Sequence, residues 1–548
     1  MNHTDESAAI VPCSTGKSGT GYHHQPPKTI GFFGSLCLVC NNNTGPAMMG
    51  LPLLFRTCGI IPTVLCIILV WVLSSLSGSM LSETIQKLPG NRHFDQNVDF
   101  SQAFSSVVGK RWFVVVECLV ILACIVNACV GLVEVAQALD SFLASYVLGS
   151  TWGVQVAWDT LQIVEWDSSR CISSEHHESK TSHCTPFHNI HDNVISLGYL
   201  LCFLCFYPLG RNDLKETMLV QKISFVFFFI LLVQFLREFD ELSFKYMDKV
   251  PMWGGDFSKL AGVVLFNYAY PITIPSWLNE KKHSVPVNKI IWLSSFIATV
   301  VYILFGILAA GTFNSPGEDI LVVLASKKCS SLTRVAAASF GVAIIGSGVP
   351  VFCVIVRNQL LHSGVFNDTW SKFLGTLGPY LISWYMYQGK TLMIVFNWAG
   401  LLVNGMIAFI LPLVLALVAY RTNYGIHDSQ ISEANNQGGL IAMTSLASAR
   451  TSDPKPYIYE SISADSHLPS DSSIHDKDVH KHTHNDSVIA IQDAADVASG
   501  PEDSELVEPL YSCLEPFRGP ILVFGTCTFC FMIVFTVLMD ILTGAGPS

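Results

Sequence analysis

Apolar residues along this chain gather into runs of about twenty, separated by short polar connections, which is the spacing of segments that cross a hydrocarbon core. Eleven runs are readable, at 31–55, 60–80, 112–138, 194–209, 218–236, 260–278, 290–310, 335–356, 373–387, 392–420 and 521–542. The ninth and tenth are divided at Gly389-Lys390, a polar break that a single long helix would not need. The pattern predicts an all-α membrane protein with eleven transmembrane helices.

Two runs violate their own pattern. The first reads GFFGSLCLVC, then NNNTGPAMMGLP, then LLF, so that polar residues, glycines and prolines stand where a spanning helix should be most apolar. Pro46 removes a backbone donor and clashes with the preceding turn, while Gly45 and Gly50 loosen the helix around it. Non-helical backbone at that depth survives only where it lines protein or a cavity, and its exposed amides and carbonyls then become ligand groups. The sixth run, LAGVVLFNYAYPITIPSWLNEKK, carries Pro271 and Pro275 beside Asn267, Tyr268 and Tyr270. Each break alone reads equally as a proline kink in a packing helix. Two discontinuous helices five spans apart instead predict an inverted repeat with a midplane site between its halves.

Other polar residues inside the runs have a bland and a functional reading. Asn127 and Glu134 in the third run are seven positions apart, about 20° on a helix, and Gly131 shares their face. Glu134 is either a proton carrier turned into the bundle or a carboxylate hydrated near the outer interface. Glu117 reads as interfacial. In the eighth run Ser339 and Ser347 lie among glycines, whose default role is close helix contact, with coordination of a sodium ion as the minority reading. Asn397 and Asn404 read as interhelical hydrogen-bond partners.

Composition agrees with embedding: half of the 548 residues are hydrophobic and 13% are charged, against roughly 25% in a soluble domain. The formal charge of −11 belongs to one segment, since 422–515 holds 16 acidic and four basic residues and the rest of the chain is nearly neutral. That segment, rich in Ser, Asp and His, and the polar residues 1–29 read as disordered. Short loops on the side of the N-terminus hold 14 Lys and Arg against 11 on the other, which favours a cytoplasmic N-terminus. The expected organisation is a cytoplasmic tail at 1–29, a core of ten helices at 30–421, an extracytoplasmic loop at 140–193, an acidic cytoplasmic loop at 422–515, and the eleventh helix with the C-terminus at 516–548.

Most cysteines sit within apolar runs as small hydrophobes. Cys171 and Cys184, in the outward loop near His176, His177 and His183, fit a disulfide better than a metal site. His480, His482 and His484 read as solvated low-complexity sequence before weak metal binding. No intramembrane Cys–His, Ser–His or metal-spaced His pair supports enzyme chemistry, and no histidine lies in a predicted span, which weighs against a metal-ion carrier.

At the two breaks the chain resembles the amino acid/auxin permease family, within the amino acid–polyamine–organocation transporters. The residues that carry the resemblance are Asn43 to Pro52 followed by Gly59-Ile60-Ile61-Pro62, then Phe266 to Pro271 with Pro275 to Glu280, and Gly400 to Pro412. The likeness covers about 31–420 and the last helix. It implies a LeuT-type 5+5 inverted repeat plus one extra helix, and amino acid transport coupled to H+ or Na+ with no other cofactor. It places the substrate's carboxylate and amino group on the broken backbone, at Asn43, Thr44, Gly45 and Ala47 and at Phe266, Asn267 and Tyr268. The chain departs from the pattern at Ala47, where many members have a second Gly, and in its acidic insertion. The expected partners are an amino acid, the bilayer of the plasma membrane or of a vacuolar or other endomembrane, and cytoplasmic partners of 422–515, with no nucleic acid. A sensor of the same fold that binds an amino acid without flux is the alternative.

Overall fold

The computed structural model describes residues 28–421 except 90, 157–160, 168–185, 188–192, 213, 315, 318, 327–328, 364–365, 387–394 and 396. The disulfide expected for Cys171 and Cys184, the break at Gly389-Lys390, the His480–His484 cluster and the eleventh helix lie outside the described residues.

Among the described residues six helices are long and apolar enough to cross a membrane: Ile60–Gln86, Arg111–Val147, Thr217–Glu241, Val287–Thr312, Ser331–Leu361 and Ala399–Arg421. They fall on the second, third, fifth, seventh, eighth and tenth predicted runs. The first and sixth runs are divided. The first consists of α1 (Phe32–Asn43), a 3-10 turn at Pro46–Gly50 and α2 (Leu51–Thr57). α3 (Ile60–Gln86), α4 (Phe100–Val108) and α5 (Arg111–Phe142) follow, then α6 (Leu197–Gly210) and α7 (Leu214–Glu241). The sixth run gives α8 (Leu260–Asn267), a 3-10 turn at Tyr270–Thr273 and α9 (Ile274–Glu280). Beyond it lie α10 (Val287–Thr312), the short α11 (Ile320–Leu324), α12 (Ser331–Phe340), α13 (Gly346–His362) and α14 (Asp368–Met386), then a π-helical stretch at Ala399–Ile410.

The all-α expectation needs one amendment. The loop expected at 140–193 begins as helix, since α5 runs to Phe142 and continues as a π turn to Val147. It then forms β1 (Ser150–Val156) and β2 (Leu161–Asp167), which pair antiparallel, with β3 (Asn193–Ser196) on the other edge of β1. The alternation in SxWxVxV and LxIxExD is the period of a half-covered strand, shorter than the window that reveals a span. Asp140 anchors this sheet, its Oδ1 accepting from Thr151 Oγ1 at 2.9 Å and from the Gly198 amide at 2.8 Å.

The ends of the broken helices are held by backbone pairing. On one side Ile30 and Lys281 form a parallel bridge, with Thr29 and Ile30 donating to the Glu280 carbonyl. On the other, Ile60 and Ile61 donate to the carbonyls of Pro251 and Met252. Gly59 makes that second crossing possible: its φ is +93°, and a Cβ there would lie 2.6 Å from the Gly254 amide nitrogen. This accounts for the glycine in the Gly59-Ile60-Ile61-Pro62 motif.

Candidate functional site

α1 stops at Asn43 because Thr44 leaves helical geometry and Pro46 offers no amide to continue the ladder. α8 stops at Asn267, three residues before the 3-10 turn that contains Pro271. Each stop frees main-chain carbonyls inside the bundle, where they must find new donors. Neighbouring helices supply them. The Tyr302 hydroxyl on α10 donates to the Asn43 carbonyl and lies 3.4 Å from the Asn267 carbonyl. Ser74 on α3 donates to the Tyr268 carbonyl at 2.9 Å.

Between the breaks lies a small cavity. The first break contributes Asn41, Asn42, Gly45, Pro46 and Ala47, and the sixth helix contributes Phe266, Asn267 and Ala269. α5 adds Asn127 and Gly131, and the eighth span adds Ile345, Gly348, Val349 and Phe352. The described lining has no ionisable side chain. Its polarity comes from asparagine amides whose donors are already engaged. Asn41 Nδ2 donates to both the main-chain and side-chain oxygens of Gln221 at 2.8 Å. Asn42 Nδ2 donates to Thr273 Oγ1 at 3.2 Å, and Asn267 Nδ2 to the Val263 carbonyl at 3.2 Å. The three Oδ1 atoms are buried and have no hydrogen-bond partner among the described residues. Unpaired buried acceptors are costly, and three around one cavity ask for a donor.

Of the residues expected to hold substrate, Gly45, Ala47, Phe266 and Asn267 line this cavity, while Asn43, Thr44 and Tyr268 stand beside it. Thr44 Oγ1 bonds back to the carbonyls of Cys40 and Asn41. The Tyr268 hydroxyl pairs with Thr299 at 2.5 Å, and its ring meets that of Tyr302 edge to face. Asn43 gives its carbonyl to Tyr302. Asn41 and Asn42 reach the lining although they fall outside the expected ligand set. Their signal is present in the sequence, since three consecutive asparagines occupy an apolar run.

The ion-coupling candidates divide. Asn127 lines the cavity and donates to Asn404 Oδ1 at 3.0 Å, the interhelical pairing expected of Asn404. Glu134, two turns along the same face, is wholly enclosed by protein, so the hydrated-interface reading does not describe it. Glu117, expected at an interface, is buried as well. The Ser347 hydroxyl donates to the Ile344 carbonyl at 2.8 Å and its carbonyl accepts from Gln221 at 2.9 Å. Ser339 is half-buried and does not line the cavity.

Comparison with known families finds a match over the N-terminal part of the chain. No curated protein matches the chain. Residues 28–164, which include the first break and all of α5, match the family described as transmembrane amino acid transporter protein, the kind of family that the first-helix motif resembles.

Proposed function

We propose that this protein is a secondary active transporter of neutral amino acids that binds its substrate at the breaks in helices one and six. The single observation that carries the reading is the trio of amide oxygens on Asn41, Asn42 and Asn267, without partners among the described residues, at a cavity between two broken helices. An α-ammonium group brings three N–H donors and no acceptor, the complement of three acceptors whose own donors are spent elsewhere. The absence of ionisable side chains from the described lining favours an uncharged substrate side chain, since a charged one would enter a low-dielectric site without a counter-ion.

The family match over 28–164 supports amino acid transport, and the interrupted first and sixth runs support an eleven-helix plan with a 5+5 inverted repeat plus one helix. In that plan one half rocks against the other around a fixed site. Coupling is to a proton or a sodium ion. The acidic segment 422–515 would serve regulation or trafficking through cytoplasmic partners, at the plasma membrane or an endomembrane.

An uptake panel of radiolabelled amino acids in liposomes tests the reading, run with and without sodium and with a proton ionophore. Accumulation of neutral amino acids that collapses with one of the two gradients is expected. Binding without accumulation would replace the transporter by a sensor of the same fold.

A further inference from the structure

We propose that the cavity accepts a primary ammonium group and rejects its N-methylated forms, with Thr273 the positioning residue that leaves the Asn42 oxygen for the ligand. The inference rests on the proposed amino acid site and deepens it by naming the class of amine that the site takes.

An asparagine offers an acceptor or a donor according to which way its amide is turned. Here the turn is fixed by partners that can only accept. Asn267 Nδ2 donates to the Val263 carbonyl at 3.2 Å, so the reversed amide would set oxygen against oxygen. Asn41 Nδ2 donates to two oxygens of Gln221, at 2.8 Å each. One of them is the main-chain carbonyl. The other is Oε1, which is held in place because Gln221 Nε2 donates to the Ser347 carbonyl at 2.9 Å.

Asn42 differs, because its partner is a hydroxyl, which can donate as well as accept. Thr273 ends the 3-10 turn of the sixth helix, and its Oγ1 donates to the Tyr270 carbonyl at 2.8 Å. The one hydroxyl proton is spent there. Only lone pairs remain on Oγ1, and Asn42 Nδ2 donates into one of them at 3.2 Å. A proton on the sixth helix therefore decides which atom of a first-helix side chain is left over. In all three amides that atom is Oδ1, buried and without a partner among the described residues. Asn127, the fourth asparagine of the lining, adds no donor, since its nitrogen gives to the Ala123 carbonyl at 2.7 Å and to Asn404 Oδ1 at 3.0 Å.

A ligand nitrogen thus meets three acceptors. A primary ammonium brings three N–H groups, its N-methyl derivative two, and its N,N-dimethyl derivative one. Each methyl leaves one more buried oxygen without a donor, which should weaken binding by about 5- to 150-fold. A cavity that merely lacked room would respond to a methyl group anywhere on the ligand. The two causes separate cleanly, because an N-methyl amino acid and the corresponding α-methyl amino acid are isomers. They carry the same extra methyl, on nitrogen in one and on carbon in the other.

Isothermal titration of the purified full chain in lipid nanodiscs tests this. The probes are alanine and leucine, each beside its N-methyl, N,N-dimethyl and α-methyl derivatives. For a parent that binds, the N-methyl form should be at least about fivefold weaker than its α-methyl isomer, and the dimethyl form weaker again. Equal binding of the isomers overturns the proposal and leaves the transport reading standing. If neither parent binds, the amino acid site and this proposal fall together. Thr273→Val keeps the shape of the side chain but frees the Asn42 amide to turn, so the ratio between the isomers should narrow. Thr273→Ser, which keeps the hydroxyl, should restore it. Weaker binding of both isomers in Thr273→Val at an unchanged ratio would make the residue merely structural and overturn its assignment. Asn42→Ala removes the oxygen itself and should narrow the ratio even where Thr273→Val fails to fold; an unchanged ratio in Asn42→Ala overturns the proposal.

Discussion

The hydroxyl of Tyr302 donates to the main-chain carbonyl of Asn43, the last residue of the first helical piece. The same hydroxyl lies 3.4 Å from the carbonyl of Asn267, the last residue of the corresponding piece of helix six. One side chain on α10 thus holds both broken ends at the height of the cavity. Tyr302→Phe keeps the ring and removes the donor, leaving the Asn43 carbonyl buried without it at a cost of roughly 1–3 kcal/mol. The variant should express and insert, melt at lower temperature than wild type, and take up substrate more slowly. Wild-type melting and uptake would mean that the clamp has no role.

Helix six and the tenth span meet at two glycines. A Cβ on Gly262 would lie 2.1 Å from Asn397 Oδ1 and 2.4 Å from its carbonyl, and one on Gly400 would lie 2.0 Å from the Gly262 carbonyl. These contacts are to backbone as well as side chain, so neither helix can yield by a rotamer change alone. Gly262→Ala and Gly400→Ala should each force the helices apart and destabilise the protein by more than the typical ~1 kcal/mol of a point substitution. Thermal unfolding in detergent measures it. Gly255→Ala, where a Cβ meets nothing within 4 Å, should be near neutral.

Legibility from sequence depends on whether the signal is local. The two breaks are legible, because proline and glycine clustered inside an apolar run interrupt the helix wherever they stand. The seven-residue spacing of Asn127 and Glu134 gives their shared face. Tyr302 is not legible, since a tyrosine near the middle of an apolar helix reads as core until the carbonyl it serves, 259 positions away, is known. Asp319 is hidden for the same reason: it stands in a connection between spans, and only the fold shows that it is buried where it caps α11. The sheet at 150–196 escapes the sequence pattern because its strands of four and seven residues are too short to register against twenty-residue runs.

Burial pushes the Asp319 carboxyl up to about 7 from its usual value near 3.8. A carboxyl raised in the folded state favours folding fully below its unfolded pKa, and that contribution is lost as pH rises through the folded value. Stability should therefore fall between about pH 4 and pH 7, by on the order of 4 kcal/mol at most from this group. Asp319→Asn, which cannot ionise, should flatten the melting temperature over that window. A wild-type melting curve that is flat or rises with pH there, with no change on substitution, would contradict the burial of an ionisable Asp319.

The most direct test of the central claim sets two substitutions of Gly45 side by side. Its φ is −77°, which any residue adopts, and a Cβ there meets nothing within 4 Å, so the backbone accepts a side chain and the space beyond it is the cavity. Uptake of radiolabelled neutral amino acids should persist in Gly45→Ala and be abolished in Gly45→Leu, with equal expression and melting behaviour for both. Normal uptake by Gly45→Leu would place the substrate elsewhere and contradict the account.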